Sequence, residues 1–485
     1  MELGVAWLHS LDPLTAVLVA IAAIFLSIGL IIFRVVRGLP KLTKGTVAFF
    51  HPHADGGGGG ERVLWCAVDA LQHAAPHVRI LIYARQGVTA EQLVQDASSR
   101  FNVKLRRPIE VLGLQHVDLI APEAYPRFTL IRQAWGSLLL GLEALRLMVP
   151  EVYIDTTGWA FPYPIAKLAG SRVACYVHYP TVSTNMLGRV WSRQPMYNND
   201  EAVSGSSLRS LLKVLYYQAF AVVYGMAGAC ADAVMVNSSW TAGHVRQLWW
   251  SWEEPQLVYP PCDTSDLQSL PLDRRLKHLF LVSVAQFRPE KNHRLQLEAY
   301  AMAREQAAAK DASWRNSAVL VSSLKMLGSC RGPDDEARLA QLQQYAQQLG
   351  IGDAVEWHVN VPYAELKQLL GGAVGGLHTM LDEHFGISVV EYMAAGVIPI
   401  AHNSGGPRAD IVVDTENDGA PQRTGYLAET KEEYCAAIKA VLEMDQRDRL
   451  RIAAAAQRRA ATMFSTERFH QAFMQAVSPV LPKQS

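Results

Sequence analysis

Short apolar runs alternate with longer helical stretches along most of this chain. TVAFF (46–50), VRILIYA (78–84), VYID (152–155) and RVACYVHY (172–179) read as strands, with a helix at 61–74 after the first. ADAVMVNS (231–238) and PQLVYPP (255–261) complete that series. A second series runs through HLFLVSVAQF (278–287), SAVLVSS (317–323), DAVEWHV (353–359), GGLHT (375–379) and VIPIAH (397–402). Helices fall between them, among them ARLAQLQQYAQQLG (337–350). Strand–helix repetition of this kind predicts an α/β protein with parallel, doubly wound sheets. The two series predict two Rossmann-like domains, 45–265 and 266–485, with a boundary near Pro261 to Pro271 and a ligand cleft between them. The last helix is a candidate to pack back on the first domain.

Three stretches break the rhythm. Leu14 to Phe33 is twenty residues without a charge, enough at ~1.5 Å per residue to span a hydrocarbon core of ~30 Å. A cleaved signal peptide fits less well, because no basic region precedes the run and the run exceeds the usual apolar length. Residues 1–44 therefore read as a membrane anchor with a basic juxtamembrane segment. Arg34, Arg37, Lys41 and Lys44 follow the run, while only Glu2 and Asp12 precede it, so the body is expected in the cytosol. LIRQAWGSLLLGLEALRLMV (130–149) and LLKVLYYQAFAVVYGMAGACA (211–231) are also unusually apolar, as core helices or as a surface that dips into a membrane. Ser192 to Ser210 is polar and reads as a loop.

Composition narrows the partners. Of 485 residues, 45 are Lys or Arg and 45 are Asp or Glu, which gives no electrostatic case for nucleic acid. The six cysteines are scattered without a C-x-x-C pair, so they read as reduced thiols and not as a zinc site.

Candidate chemistry collects at predicted strand ends. FFHPHADGGGGGERVLW (49–65) sets five glycines between a strand and a helix, where backbone N–H groups can approach an anion; the bland alternative is a surface linker. SVAQFRPEKNH (283–293) places Arg288 and Lys291 after a strand, suited to a diphosphate leaving group or simply to a solvated turn. In TMLDEHFGISVVEYMAAG (379–396), Glu383 precedes a helix that starts near Gly386 and carries Glu391 one turn inside. One carboxylate can accept from sugar hydroxyls, the other can reach a ribose, and the helix start can hold phosphate. His178 ends another strand, and HNSGGP (402–407) supplies a turn that approaches a ligand or packs tightly.

Taken together, EHFGISVVE, the basic residues after the first strand of the second half and NSGGP resemble the retaining glycosyltransferases of family four, which have the GT-B fold. HYPTVSTNM (178–186), VNSSWT (236–241), VYPPCD (258–263) and GLHTMLDEHFG (376–386) extend the likeness to the dolichol-pathway α-1,2-mannosyltransferases. The resemblance implies GDP-mannose as donor and a trimannosyl, chitobiosyl-pyrophosphoryl dolichol as acceptor, extended by two mannoses on the cytosolic face of the endoplasmic reticulum. It implies no cofactor and no metal, in keeping with the lack of a D-x-D motif, and it leaves room for association with other mannosyltransferases of the pathway. By resemblance, Lys291 and Arg288 neutralise the diphosphate, Glu383 binds the sugar and His178 sits beside the mannose. Gly58, Gly59, Gly60, Phe385, Gly386, Ile387 and Glu391 surround the donor, and His53, Tyr179 and Thr181 are candidates for the acceptor side. Many relatives carry arginine where this chain has Gln286, two residues before Arg288. Another nucleotide sugar or lipid acceptor on the same fold, and a non-catalytic scaffold, remain as alternatives.

Overall fold

The computed structural model describes residues 26–483 except 28, 126, 183–206, 274–277, 311–316, 331 and 418–419. Most of the expected anchor and most of the polar loop at 192–210 lie outside these residues. Among the described residues no helix is long and apolar enough to cross a membrane.

The first domain holds β1 (Leu42–Phe50), α1 (Gly59–Ala74), β2 (Arg79–Arg85), α2 (Ala90–Phe101), β3 (Glu110–Leu114), α3 (Thr129–Leu147) and β4 (Val149–Asp155). It continues through α4 (Tyr163–Leu168), β5 (Arg172–Val177), α5 (Ser207–Gly228), β6 (Ala233–Val236), α6 (Ser239–Leu248) and β7 (Gln256–Leu257). The sheet order is β3-β2-β1-β4-β5-β6-β7, with every pairing parallel. The central strands have no polar alternation because helices cover both sides. On one side Val47, Phe49, Ile80 and Ile82 pack with α1 and α2; on the other Ala48, Phe50, Leu81 and Tyr83 pack with α3, α4 and α5.

After the short α7 (Thr264–Gln268), a second parallel sheet is built from β8 (Phe280–Val284), β9 (Ser323–Gly328), β10 (Val355–Val359), β11 (Gly375–His378), β12 (Ile398–His402) and β15 (Tyr426–Ala428). Its order is β10-β9-β8-β11-β12-β15. Between the strands lie α8 (His293–Lys310), α9 (Pro333–Gln348), α10 (Tyr363–Gly372), α11 (Ile387–Ala394) and a hairpin of β13 (Thr415–Asn417) and β14 (Ala420–Gln422). α12 (Lys431–Glu443), α13 (Gln446–Phe464) and α14 (Thr466–Val477) end the chain. Phe469 and Phe473 of α14 belong to the first domain's core, so the chain crosses back.

One strand is displaced from its expected place. SAVLVSS (317–323) forms a turn, and the strand starts at Ser323 and runs to Gly328. Val319 is buried within the turn and reaches the core without pairing, while Val321 is about half exposed, and LKMLG takes the place beside β8. Positions 130–149 and 211–231 are largely the helices α3 and α5, but each buries only one side.

The two domains touch through directed contacts. Asp410, buried in the second domain, accepts from the Ser239 backbone N–H (2.8 Å) and hydroxyl (2.5 Å) at the start of α6, and from the Tyr259 hydroxyl (2.9 Å).

Candidate functional site

The glycine run lies at the C-terminal end of β1, and its last two residues open α1. It is held in place. Glu61 in the first turn folds back, and its carboxylate accepts from the Gly58 N–H at 2.6 Å. Its other oxygen meets His51 Nε2 at 3.3 Å, and His51 Nδ1 lies 2.7 Å from the Thr156 hydroxyl at the end of β4. Burial pushes the Glu61 carboxyl up, but the His51 hydrogen bond and charge and the Gly58 N–H outweigh it and bring it down to about 2. Glu61→Ala should cost about 1 kcal/mol of stability, the usual cost of a lost cap. It should also slow turnover by about tenfold as the loop loosens, while Glu61→Gln keeps the Gly58 contact and recovers most of it. Thermal unfolding and steady-state kinetics check both; a stability loss with unchanged kcat would sever loop position from rate.

A charged cluster lies at the corresponding ends of β8 and β11. Lys291 Nζ is 2.7 Å from Glu383 Oε2, and His378 Nε2 approaches the same oxygen at 3.1 Å. Burial raises the Glu383 carboxyl, but His378 and the Lys291 ammonium more than offset it, so the group stays ionised well below the usual carboxylate range. The NSGGP turn packs tightly on this loop. Gly406 N–H donates to the Glu383 carbonyl at 2.7 Å, the Ser404 hydroxyl accepts from Asp382 N–H at 2.8 Å, and a Cβ on Gly405 would sit 2.2 Å from that carbonyl. Gly386, with φ +110°, turns the chain into α11 through a conformation that side chains disfavour. The first N–H groups of α11 then have no partner within the helix.

A cavity of about 590 Å³ opens between the domains. Gly57, Gly58, Gly59, Arg62 and Arg100 line it from the first, and Gln286, Ile387, Ser388 and Glu391 are among its lining from the second. A Cβ on Gly59 would lie 2.8 Å from Ile387 Cδ1, so the glycine run and α11 meet across the cleft. Gly60 faces His178 and His51. Glu391 is pushed up to about 7 by burial, with Arg62 across the cleft opposing the shift. The folded state therefore holds a proton that the unfolded chain releases near 4.5. Stability should fall by about 3 kcal/mol as pH rises from 4.5 to 7, and Glu391→Gln should flatten that slope in urea unfolding measured across this range.

The remaining candidates are placed as follows. The Nε2 of His178 is buried without a hydrogen-bond partner, and burial pushes the ring down to about 4, so it is neutral. Tyr179 stacks on His384 of the other domain at 4.0 Å between ring centroids. Thr181 N–H donates to the Tyr224 hydroxyl at 3.4 Å. Burial also lowers His53. The Phe385 side chain packs with Tyr259 of the first domain and with Phe464, in the same core cluster as Val389 and Val390 of α11. The Arg288 side chain has no ion pair among the described residues, whereas Gln286 lines the cavity.

Residues 44–249 match the family described as ALG11 mannosyltransferase N-terminus, and residues 268–459 match glycosyl transferases group 1. A relative from Mus musculus is 45% identical over 442 residues, spanning 90% of this chain and 87% of its own length. The chain belongs to the ALG11 mannosyltransferase family. The mouse relative is named GDP-Man:Man(3)GlcNAc(2)-PP-Dol alpha-1,2-mannosyltransferase, as are relatives from Homo sapiens (44% identity, 89% of this chain, 86% of its own) and Dictyostelium discoideum (39%, 92% and 87%). Among solved structures, Anabaena Alr3699/HepE in complex with UDP and glucose superposes with a TM-score of 0.54 at 16% identity, over 89% of this chain and 99% of its own. Sucrose-phosphate synthase from Thermosynechococcus elongatus gives 0.61 at 17%, over 90% and 98%. These likenesses show a GT-B-like glycosyltransferase fold with two parallel sheets.

Arg62, Arg100, His51, Glu61, His378 and His384 stand among the residues of the site without having been expected from the sequence motifs. Arg62 directly follows the glycines and Glu61, so a cation on the first turn of α1 was a visible signal. Arg100 carried none, since only the fold brings it to the cleft.

Proposed function

We propose that this chain is a retaining α-1,2-mannosyltransferase that adds two successive mannoses from GDP-mannose to the trimannosyl chitobiose core on dolichyl pyrophosphate. The observation that carries this is identity of 39–45% to relatives bearing that activity as their name, across 86–88% of their length for the vertebrate sequences. The site geometry suits the chemistry. Donor and product are both α-linked, so the acceptor oxygen attacks the anomeric carbon from the face the diphosphate leaves. The C1–O bond to the β-phosphate breaks, the new C1–O bond forms, and the acceptor proton passes to a β-phosphate oxygen of departing GDP. Lys291 and the start of α11 oppose the charge that develops on the diphosphate. The ionised Glu383, fixed by His378 and the glycine turn, accepts from mannose hydroxyls, and Glu391 takes the ribose.

With Lys291 and a helix terminus in place, the leaving group needs no divalent cation, so turnover should persist in excess EDTA. Leu14 to Phe33 is the anchor, and its basic flank puts the body on the cytosolic side of the endoplasmic reticulum. Protease added outside sealed microsomes should then degrade the body; full protection would contradict this placement. To test the donor, GDP-mannose, UDP-glucose and UDP-N-acetylglucosamine are offered with the trimannosyl lipid. Transfer from GDP-mannose alone is expected, and transfer from a UDP-sugar instead would refute the reading.

A further inference from the structure

The loop that carries Glu383 is bracketed by two left-handed residues, Asp382 at φ +54° and Gly386 at φ +110°. Backbone of this kind persists where surrounding contacts over-determine it. From its own domain the NSGGP turn supplies them. Gly406 N–H donates to the Glu383 carbonyl, and a Cβ on Gly406 would lie 2.5 Å from the Phe385 carbonyl oxygen. From the first domain the contact is made by rings. Tyr179, just beyond β5, stacks on His384 with centroids 4.0 Å apart and planes 21° apart. Trp240, in the first turn of α6, lies near-parallel to both, 5.7 Å from His384 and 6.2 Å from Tyr179. His244 meets Trp240 edge-on at 4.1 Å. Asp410 grips the start of the same helix through Ser239, so the two domains are in register at this point.

The ring cluster reaches Glu383 through one residue. His384 N–H donates to Glu383 Oε1 at 3.1 Å, while Oε2 is taken by Lys291 and His378. Both carboxylate oxygens are therefore tied. One is held by side chains of the second domain, the other by a backbone group whose own side chain rests on the first domain. The imidazole acts here by shape. Burial holds it below the usual histidine range in spite of the Glu383 charge, so the ring is neutral and packs face to face on the phenol. The same stacking covers one face of Tyr179, which is then closed to a sugar ring.

We propose that His384 is a positioning residue that links the apposition of the two domains to the donor sugar: Tyr179 fixes its ring, and its N–H fixes the Glu383 carboxylate toward the mannose hydroxyls. Tyr179 thereby acts on the donor from the first domain, through His384, and is not a contact of the acceptor. The inference rests on the donor role given to Glu383 in the function proposed above.

The test titrates the full chain with GDP-mannose and with GDP by calorimetry, without acceptor. His384→Ala and Tyr179→Ala should each lower the ratio of GDP-mannose to GDP affinity by about fivefold, with GDP affinity itself unchanged. The double variant should lose no more than the larger single loss, because the two residues act in series. His384→Phe keeps both the flat ring and the N–H and should recover most of the ratio. With the trimannosyl lipid, kcat should fall by about tenfold in each alanine variant while acceptor KM stays within about twofold. Losses that multiply in the double variant, or His384→Phe as impaired as His384→Ala, would overturn the proposal. So would a raised acceptor KM in Tyr179→Ala with the affinity ratio intact, which would return Tyr179 to the acceptor side. Should the alanine variants melt below the assay temperature, Tyr179→Leu and His384→Leu fill the space without a flat face and carry the same comparison. An unsubstituted chain that binds GDP-mannose yet transfers nothing fails the proposed function alone, and the affinity ratio across the variants still decides the role of His384.

Discussion

Lys291→Ala should lower kcat with GDP-mannose by about 10²- to 10³-fold, as for other preorganised groups that stabilise developing charge. The reason is where the ammonium sits. It is held at the turn after β8, its carbonyl fixed by the Thr379 hydroxyl at 2.8 Å, and its Nζ is 2.7 Å from the buried Glu383. That pairing keeps the cation in position before the diphosphate acquires its extra charge. Removal also leaves Glu383 with His378 as its remaining side-chain partner, so part of what favours its ionised form is lost. Glu383 is held below its unfolded value, so its stabilising contribution is present above about pH 4.5 and fades as pH falls through the lower folded value. The variant should therefore lose stability above about pH 4.5 as well as rate, with the stability difference fading in acid. Lys291→Arg should keep much of the stability and recover only part of the rate, because a planar fork does not occupy the place of a point charge. Wild-type kcat in Lys291→Ala would remove Lys291 from the leaving-group role.

Gly59→Val should cut turnover by about tenfold to a hundredfold with little change in melting temperature. A single Cβ there already lies 2.8 Å from Ile387 Cδ1 on α11, and a branched side chain would hold the two domains apart at the cavity between them. Gly59 lies at the first helical turn and its φ is not in the left-handed region, so the backbone tolerates the change and the cost falls on the cleft. Gly57→Ala has space, with its nearest neighbour at 3.8 Å, and should be close to neutral. A comparison of kcat and thermal unfolding for both variants separates a cleft effect from a loop effect; equal kinetics would return the glycines to the status of a linker.

Much of this architecture was legible because parallel strands advertise themselves. VAFF, LIYA and VYID had to be buried, and helical stretches had to connect them. The slip at 317–323 has a physical cause: an apolar run satisfies the core as a turn as readily as a strand, and periodicity does not separate them. In the site, Lys291, Glu383 and Glu391 could be read from spacing because they lie in two continuous segments. The partners that set their ionisation could not. Lys291 meets Glu383 only after β11 has paired with β8, and Arg62 faces Glu391 only because the domains face each other. The glycine run shows the same limit. Its place between strand and helix was visible, but the carboxylate of Glu61 folding back on Gly58 makes it an ordered edge rather than a slack loop. The likeness to family four pointed to Arg288 as a phosphate ligand two residues from the position where many relatives carry arginine; Gln286, which stands at that position, lines the cavity.

The central claim is tested most directly by incubating the purified full-length protein with GDP-mannose and the trimannosyl chitobiosyl-pyrophosphoryl lipid in excess EDTA, then releasing and weighing the oligosaccharide. The prediction is a gain of two hexoses, both removable by an α-1,2-specific mannosidase. An unchanged mass, a single added hexose at completion, or added hexoses resistant to that mannosidase would contradict it.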